Sequence, residues 1–308
     1  MFSKKIIFII GPTGVGKTQV AFLLAGKLKG AIISCDAMQV YREANIASNK
    51  PSHKMLKEIP HHLINIICVE QNFNVATFNL LARAAIQQIH RENKIPIVTG
   101  GSGLYMSILL DGIFKGAGRN IKLRQVLQKE AEEKGKESLY GKLLLVDAQA
   151  AFSIHPHDTK KIIRALEVFA DKKKPLSTVK KNRDGLWGKY DIRIFALSRA
   201  RDDLYERINE RVERMFSEGL VNEVEALMNQ RLSDTAKSVI GIKEVTGFLE
   251  GQFSLERAQY LMKLNTRHYA KRQLTWFRKE KRLEWVHIER NEPPQATAEK
   301  ILEILSTQ

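Results

Sequence analysis

Apolar residues along this chain follow two alternating rhythms. Short runs rich in Ile, Val and Phe stand at Lys5–Ile10, Ala31–Ser34, Leu63–Val69, Ile95–Thr99, Asp191–Leu197 and Trp285–Ile288, each of strand length. Between them lie Lys17–Leu28, Val75–Arg91, Leu204–Phe216 and Leu255–Lys279, whose apolar positions recur at helical spacing. Leu204, Ile208, Val212 and Met215, for example, share one helix face. Strands alternating with helices predict an α/β fold, a parallel sheet with helices on both faces. Ligands of such sheets collect beyond the carboxyl ends of the strands.

From about Gly118 to Lys189 the alternation stops. This stretch is Lys/Glu-rich and helical in pattern, and it falls between two strands. The expected organisation is therefore a core of residues 1–117 and 190–308 with a helical insertion domain at 118–189. Asp171–Lys174 before Pro175, and then Lys180–Gly185, read as exposed turns. Pro293 and Pro294 precede a last short helix, Ala296–Leu305.

Composition adds charge to this picture. The chain of 308 residues carries a formal net charge of +16, more than solubility needs, and this suggests a polyanionic partner. The excess is uneven. Gly118–Lys189 holds 17 basic against 9 acidic residues, and Lys263–Arg282 holds 8 basic residues against Glu280 alone. Solvated helix faces would explain one such patch; two flanking one core point to RNA or DNA. No apolar stretch is long enough to cross a bilayer, so no membrane partner is expected. MFSKKIIFII lacks a small-residue cleavage site and reads as a first buried strand rather than a signal peptide. Two cysteines, Cys35 and Cys68, fit a reducing, cytoplasmic setting and packing roles, and no Cys/His set has metal-ligand spacing.

The strongest local signal is GPTGVGKT: Gly11, Pro12, Thr13, Gly14, Val15, Gly16, Lys17 and Thr18. It follows an apolar strand and opens a helix, the context a phosphate-cradling P-loop requires. Backbone N–H groups would face phosphate oxygens, Lys17 would add a point charge, and Thr18 would offer its hydroxyl to Mg²⁺. Asp36 closes the second strand and should face this loop. It could order Mg²⁺, act as a general base, or merely cap the following turn. A hydrolytic NTPase needs a further acidic residue after an apolar strand. The fourth strand instead runs into Gly100, Gly101, Ser102 and Gly103, while Glu70, expected to end the third, is followed by Gln71 and Asn72. A phosphate cradle without hydrolytic apparatus points to group transfer. The glycines could admit a bulky ligand or form a plain turn, and Ser102 could donate a hydrogen bond. Arg207, Arg211 and Arg214 share a helix face opposite its apolar stripe, suited either to pyrophosphate oxygens or to salt bridges with Glu206, Glu210 and Glu213. His61 and His62 read as loop or core histidines, and Trp276 and Phe277 as helix anchors rather than base-stacking platforms.

Together these segments resemble the tRNA dimethylallyltransferase family in its bacterial form. The resemblance runs from about Ile6 to Trp285. It rests on GPTGVGKT, CDAMQVY at 35–41, HHLI at 61–64, IPIVTGGSGLY at 95–105 and HPHDTKKIIRALEV at 155–168, with PLS at 175–177. GLVNEV at 219–224, IGIKE at 240–244 and TRHYAKRQLTWFR at 266–278 complete it. It implies transfer of a dimethylallyl group from dimethylallyl pyrophosphate to N6 of the adenosine just 3′ of the tRNA anticodon. By that likeness the P-loop holds pyrophosphate, Lys17, Arg211 and Mg²⁺ stabilise the leaving group, Asp36 takes the amine proton and Ser102 assists. Asp36, Ala37, Met38, Gln39, Ser102, Arg124, Lys160, Lys161, Ile162, Ile163, Arg164, Ser238, Val239, Ile240, Gly241, Ile242 and Lys243 align with tRNA-contacting segments. A monomer is expected. Local departures are Ser102 for Thr, Lys160 and Lys161 for a polar/Arg pair, Ile242 for Tyr, and Ala47–Pro51 where relatives read GTAKP. Competing readings are an adenylate isopentenyltransferase, which would have little use for the insertion, a P-loop small-molecule kinase, and a non-enzymatic RNA-binding module. A polyprenyl synthase is excluded, because Asp202 and Asp203 are followed by Leu204, Tyr205 and Glu206 rather than by the acidic pattern it needs.

Overall fold

The computed structural model describes residues 4–113, 120–179 and 183–307. Six strands form one parallel sheet: β1 (Lys5–Ile10), β2 (Gly30–Ser34), β3 (His61–His62), β4 (Ile95–Gly100), β5 (Asp191–Ser198) and β6 (Glu284–His287). Their order across the sheet is β3-β2-β4-β1-β5-β6. β1 thus lies inside the sheet, in register with β4 (Ile9 beside Thr99) and β5 (Ile9 beside Phe195). Ile6 to Ile10 are all buried although successive side chains point to opposite faces, so both faces of β1 are covered.

The helices are α1 (Lys17–Lys27), α2 (His53–Glu58), α3 (Val75–Arg91), α4 (Gly103–Asp111), α5 (Ile121–Lys134), α6 (Lys136–Val146), α7 (Ala148–Ser153) and α8 (Thr159–Lys172). They continue with α9 (Leu176–Val179), α10 (Arg201–Ser217), α11 (Leu220–Met228), α12 (Ile242–Leu249), α13 (Leu255–Phe277) and α14 (Pro294–Ser306). α3 begins and ends where its periodicity predicts; Asn74 caps it by accepting from the N–H groups of Ala76 and Thr77. α10 begins at Arg201, before its apolar stripe, because Asp202 and Asp203 suit the positive end of the helix.

Two compact units result: Met1–Leu109 with Trp187–Gln308, and Leu110–Leu186. The first contains the whole sheet, whose core joins α1, α10 and α14 to β1, β4 and β5 through residues such as Val20, Leu24, Ile208 and Ile301. The second is helical and closes its own core around Leu139, Leu143, Ile162 and Val168. The sequence boundary at residue 118 and part of the Lys180–Gly185 turn lie outside the described residues.

The third strand is the main correction. Leu63–Val69, expected to extend along the sheet, is a turn-rich segment that follows the two-residue β3. Leu63 and Asn65 have φ of 63° and 57°, which a strand does not tolerate. The N–H groups of Ile66 and Ile67 donate to the carbonyl of Val40 instead of a sheet neighbour. Glu70 consequently ends no strand; it is an exposed turn residue.

Candidate active site

The P-loop links β1 to α1, at the carboxyl edge of an interior strand. Gly16 takes φ 109° to start α1, a left-handed conformation that a side chain would strain. Val15 N–H turns back to the carbonyl of Pro12 at 3.4 Å, and Thr13 N–H donates to Gln273 Oε1 at 2.8 Å. The N–H groups of Gly14, Gly16, Lys17 and Thr18 have no acceptor among the described residues. Unpaired N–H groups in a loop at a helix N-terminus are the arrangement that anion binding requires.

A cavity of about 680 Å³ opens over this loop. Thr13, Gly14, Gly16, Lys17 and Thr18 form one side, joined by Asp36 and Gln39 from the segment after β2 and by Arg207, Arg211 and Arg214 from α10. Ser48, Asn49, Lys50, Pro51, Met55 and Ile64 complete another wall. The cavity is thus lined mainly by polar and charged groups, with Ile32, Pro51, Met55 and Ile64 among its apolar lining residues.

α10 supplies the cations through helical spacing; Arg207 and Arg211 face the P-loop, while Arg214 makes a surface pair within the helix end. Arg211 Nη1 donates to Thr13 Oγ1 at 2.6 Å, and Arg207 Nε to the carbonyl of Gly14 at 3.2 Å. Glu206 and Glu213 are turned elsewhere, to Arg290 and Lys263. Arg214 lies 3.8 Å from Glu218. Arg211 Nε is buried and unpartnered among the described residues. Burial, reinforced by Arg214 and opposed by Asp36, lowers the Arg211 guanidinium to about 10. Burial likewise lowers the Lys17 ammonium to about 8, with Asp36 opposing and Arg211 adding to the effect. Lys17 Nζ donates to the carbonyl of Pro12 at 2.8 Å. Two buried cations that destabilise each other form a site that an anion relieves.

Asp36 stands two residues past the end of β2 and fills both of its anticipated positions. Its Oδ1 accepts from Met38 N–H at 2.8 Å, closing a turn, and its carboxylate lines the cavity beside Lys17. Gln39 is fixed by Ser34 Oγ at 2.8 Å, and Ala37 and Met38 are half-buried. Thr18 and Asp36 are among the oxygen-bearing side chains lining the cavity and would suit a divalent cation. No cluster of three or more His, Cys, Asp or Glu side chains suits a metal among the described residues. Such a sparse set fits Mg²⁺, which takes one or two protein ligands and completes its shell with water and phosphate.

The glycines after β4 have a different function from ligand access. A Cβ on Gly101 would stand 2.1 Å from the Gln273 amide, and one on Gly103 would stand 2.2 Å from the Trp276 ring. These two admit α13, whereas Gly100, the last residue of β4, lines the cavity. Ser102 is not among the cavity-lining residues; its Oγ accepts from Tyr105 N–H at 3.4 Å at the start of α4. Trp276 and the buried Phe277 are anchors, as expected. Gln273, which no sequence argument singled out, links Thr13 N–H to the carbonyl of Gly101 at 2.9 Å. It lies within the TRHYAKRQLTWFR block, but its partners are distant in sequence.

The expected RNA-facing segments divide by burial. Ile162 and Ile163 belong to the helical unit's core, and Val239, Gly241 and Ile242 are buried, so these side chains cannot meet RNA directly. Lys160, Lys161, Ser238 and Lys243 are exposed, and Ile240 is half-buried. Arg124 forks onto Glu167 at 2.9 and 2.8 Å, and Arg164 Nη1 reaches the same carboxylate at 2.6 Å. Within Lys263–Arg282, Lys271, Arg272, Arg278, Lys279 and Lys281 are exposed, whereas Lys263 pairs with Glu213 and Arg282 with Glu280.

The family model described as IPP transferase matches residues 39–280. A tRNA dimethylallyltransferase of Alkaliphilus oremlandii is 41% identical over 302 residues, covering 97% of this chain and 96% of that protein. One of Alkaliphilus metalliredigens is 44% identical, covering 92% of each. The crystal structure of a tRNA isopentenylpyrophosphate transferase from Bacillus halodurans aligns with a TM-score of 0.73 at 35% identity, over 98% of this chain and 96% of that one. A eukaryotic dimethylallyltransferase, captured acting on tRNA, aligns with a TM-score of 0.83 at 28% identity, over 99% of this chain and 80% of that one. With a P-loop, an arginine-bearing helix and a carboxylate meeting over one cavity, and with relatives of this kind along its whole length, the chain belongs to the IPP transferase family, alongside the tRNA dimethylallyltransferases.

Proposed function

We propose that this protein transfers the dimethylallyl group of dimethylallyl pyrophosphate to N6 of the adenosine immediately 3′ of a tRNA anticodon, releasing pyrophosphate. The observation that carries the reading is the cavity itself, with Asp36 facing a cradle of Lys17, Thr18 and Arg211. Membership of the family supports it.

The P-loop N–H groups and Lys17 hold the pyrophosphate, and Arg211 forks onto it through its unpartnered Nε. As the allylic C1–O bond breaks, negative charge gathers on the leaving oxygen, and these preorganised donors stabilise it. N6 of adenosine forms the new bond to C1. The amine then gives up a proton, which Asp36 accepts; its carboxylate is held in place by Met38 N–H. Thr18 would help hold Mg²⁺, which would supply further neutralisation of the leaving group. The reactive base leaves its stack to reach this cavity. The exposed Lys160 and Lys161, with Lys271, Arg272 and Arg278 on and beside α13, supply phosphate contacts to the anticodon arm. Ser102 acts at one remove, since its N–H reaches the carbonyl of Cys35 next to Asp36 at 3.4 Å. The enzyme works as a cytoplasmic monomer.

The test is an incubation of the protein with Mg²⁺, labelled dimethylallyl pyrophosphate and either unmodified tRNA or AMP, read by nucleoside mass spectrometry. Label is expected on the tRNA adenosine. Label on AMP alone would move the protein to the adenylate isopentenyltransferases, and label on neither would refute the reading.

A further inference from the structure

Glu223, on α11, is not among the cavity-lining residues, yet it holds one of the cavity's walls. Its Oε2 accepts from the N–H groups of Asn45 and Ile46 at 2.9 and 2.8 Å, and its Oε1 from Ala47 N–H at 2.9 Å. Three successive amides converging on one carboxylate form a backbone nest, an arrangement that ordinarily binds an anion. Here the anion is internal. The loop so captured continues as Ser48, Asn49, Lys50 and Pro51, which line the cavity.

Four further bonds stiffen the loop. Lys50 Nζ is turned inward, onto the carbonyls of Tyr41 and Arg42 and onto Asn45 Oδ1, so its charge serves the loop rather than the cavity. Gln39 Nε2 donates to the carbonyl of Asn49 at 3.3 Å. The apolar lining residues this segment brings to the cavity are Pro51 and, on α2 just after it, Met55. Gly219, at φ 100°, joins the arginine helix α10 directly to α11. The helix that follows the one carrying the cationic cradle therefore carries the carboxylate that fixes this wall.

We infer that Glu223 is a positioning residue that sets the fit of the prenyl-binding wall, and so governs the enzyme's discrimination among allylic pyrophosphates of different chain length. This inference rests on the proposed transferase reading.

The experiment compares wild type with Glu223→Ala and Glu223→Gln. Binding of inorganic pyrophosphate, dimethylallyl pyrophosphate and geranyl pyrophosphate is measured by calorimetry, and kcat and KM in the tRNA assay. Removing three charge-assisted bonds from the loop should weaken dimethylallyl pyrophosphate binding about tenfold or more in Glu223→Ala. Glu223→Gln, which keeps one acceptor oxygen, should fall between. Inorganic pyrophosphate binding, kcat and the KM for tRNA should stay within about twofold of wild type, as a displaced wall leaves the cradle intact. The preference for the C5 over the C10 substrate should narrow. Unchanged discrimination, or equal weakening of inorganic and dimethylallyl pyrophosphate, would overturn the inference. Because Glu223→Gln preserves size and shape, it decides the matter should the alanine variant fail to fold. A wild type that binds allylic pyrophosphates without modifying tRNA would refute the transferase reading alone, since the binding comparison still scores the wall.

Discussion

Two sets of arginines in this molecule meet opposite fates. In the helical unit, Arg124 and Arg164 converge on Glu167, whose side chain is fully buried. Burial pushes that carboxyl up, but the two guanidiniums and Asn120 N–H outweigh it and hold it at about 2. In the sheet unit, Arg211 is pressed among other cations with an unpartnered Nε, and its pKa falls. Charge was the same signal in both places. What separates architecture from binding is whether the counter-charge is built into the protein or left for a ligand to bring.

That contrast can be broken experimentally. The largest effect is expected at the carboxylate facing the cradle: Asp36→Asn should lower kcat by about 10²–10⁴-fold with tRNA affinity nearly kept. Equal losses in turnover and tRNA binding would deny Asp36 its role as base. Arg211→Leu should cost about 10²–10³-fold in turnover, since it removes one preorganised donor to the leaving group. Its thermal stability should change little, because a buried uncompensated cation goes with it. Glu167→Ala should do the reverse, destabilising the helical unit by about 3 kcal/mol with pyrophosphate binding intact. Calorimetric melting of both variants decides whether the contrast holds.

pH sharpens it further. The Lys17 ammonium, at about 8 in the free protein, is raised again when an anion binds. Its contribution to pyrophosphate affinity is therefore complete below about pH 8 and falls by up to about tenfold per unit above it. Glu167 has the opposite sign. Its depressed pKa stabilises the fold above the ordinary carboxylate range, and that stability drains away as pH falls toward about 2. The smallest effect is expected at the exposed Lys160, where Lys160→Ala should reduce the salt slope of tRNA binding by about one. An unchanged slope would remove Lys160 from the interface.

Much of this was legible in sequence. β1, β4, β5 and α3 announced themselves through unbroken apolar runs and a clean helical stripe, and the P-loop through spacing alone. Arg211 could be placed on a helix face, but not aimed: periodicity says which side chains share a face, not what that face meets. β3 misled because apolar content resembles a strand whether or not backbone N–H groups pair with the sheet, and Leu63 and Asn65 gave no warning of their positive φ. Ile162 and Ile163 sit in a block that the resemblance ties to tRNA, yet alternate sides of one helix divide that block between core and surface. Gln273 and Glu223 were out of reach for another reason. Each acts through main-chain amides of a distant segment, and amides leave no trace in composition.

The bond from Gln273 to Thr13 spans most of the chain. β5, which flanks β1 in the sheet, is likewise encoded far downstream of it. A ribosome that has finished the P-loop has therefore not finished the site. Thr13 stays unclasped until α13 emerges, so the nascent protein reaches its anion-binding form only after that distant helix has been made, with contacts of such long sequence separation setting a slow step.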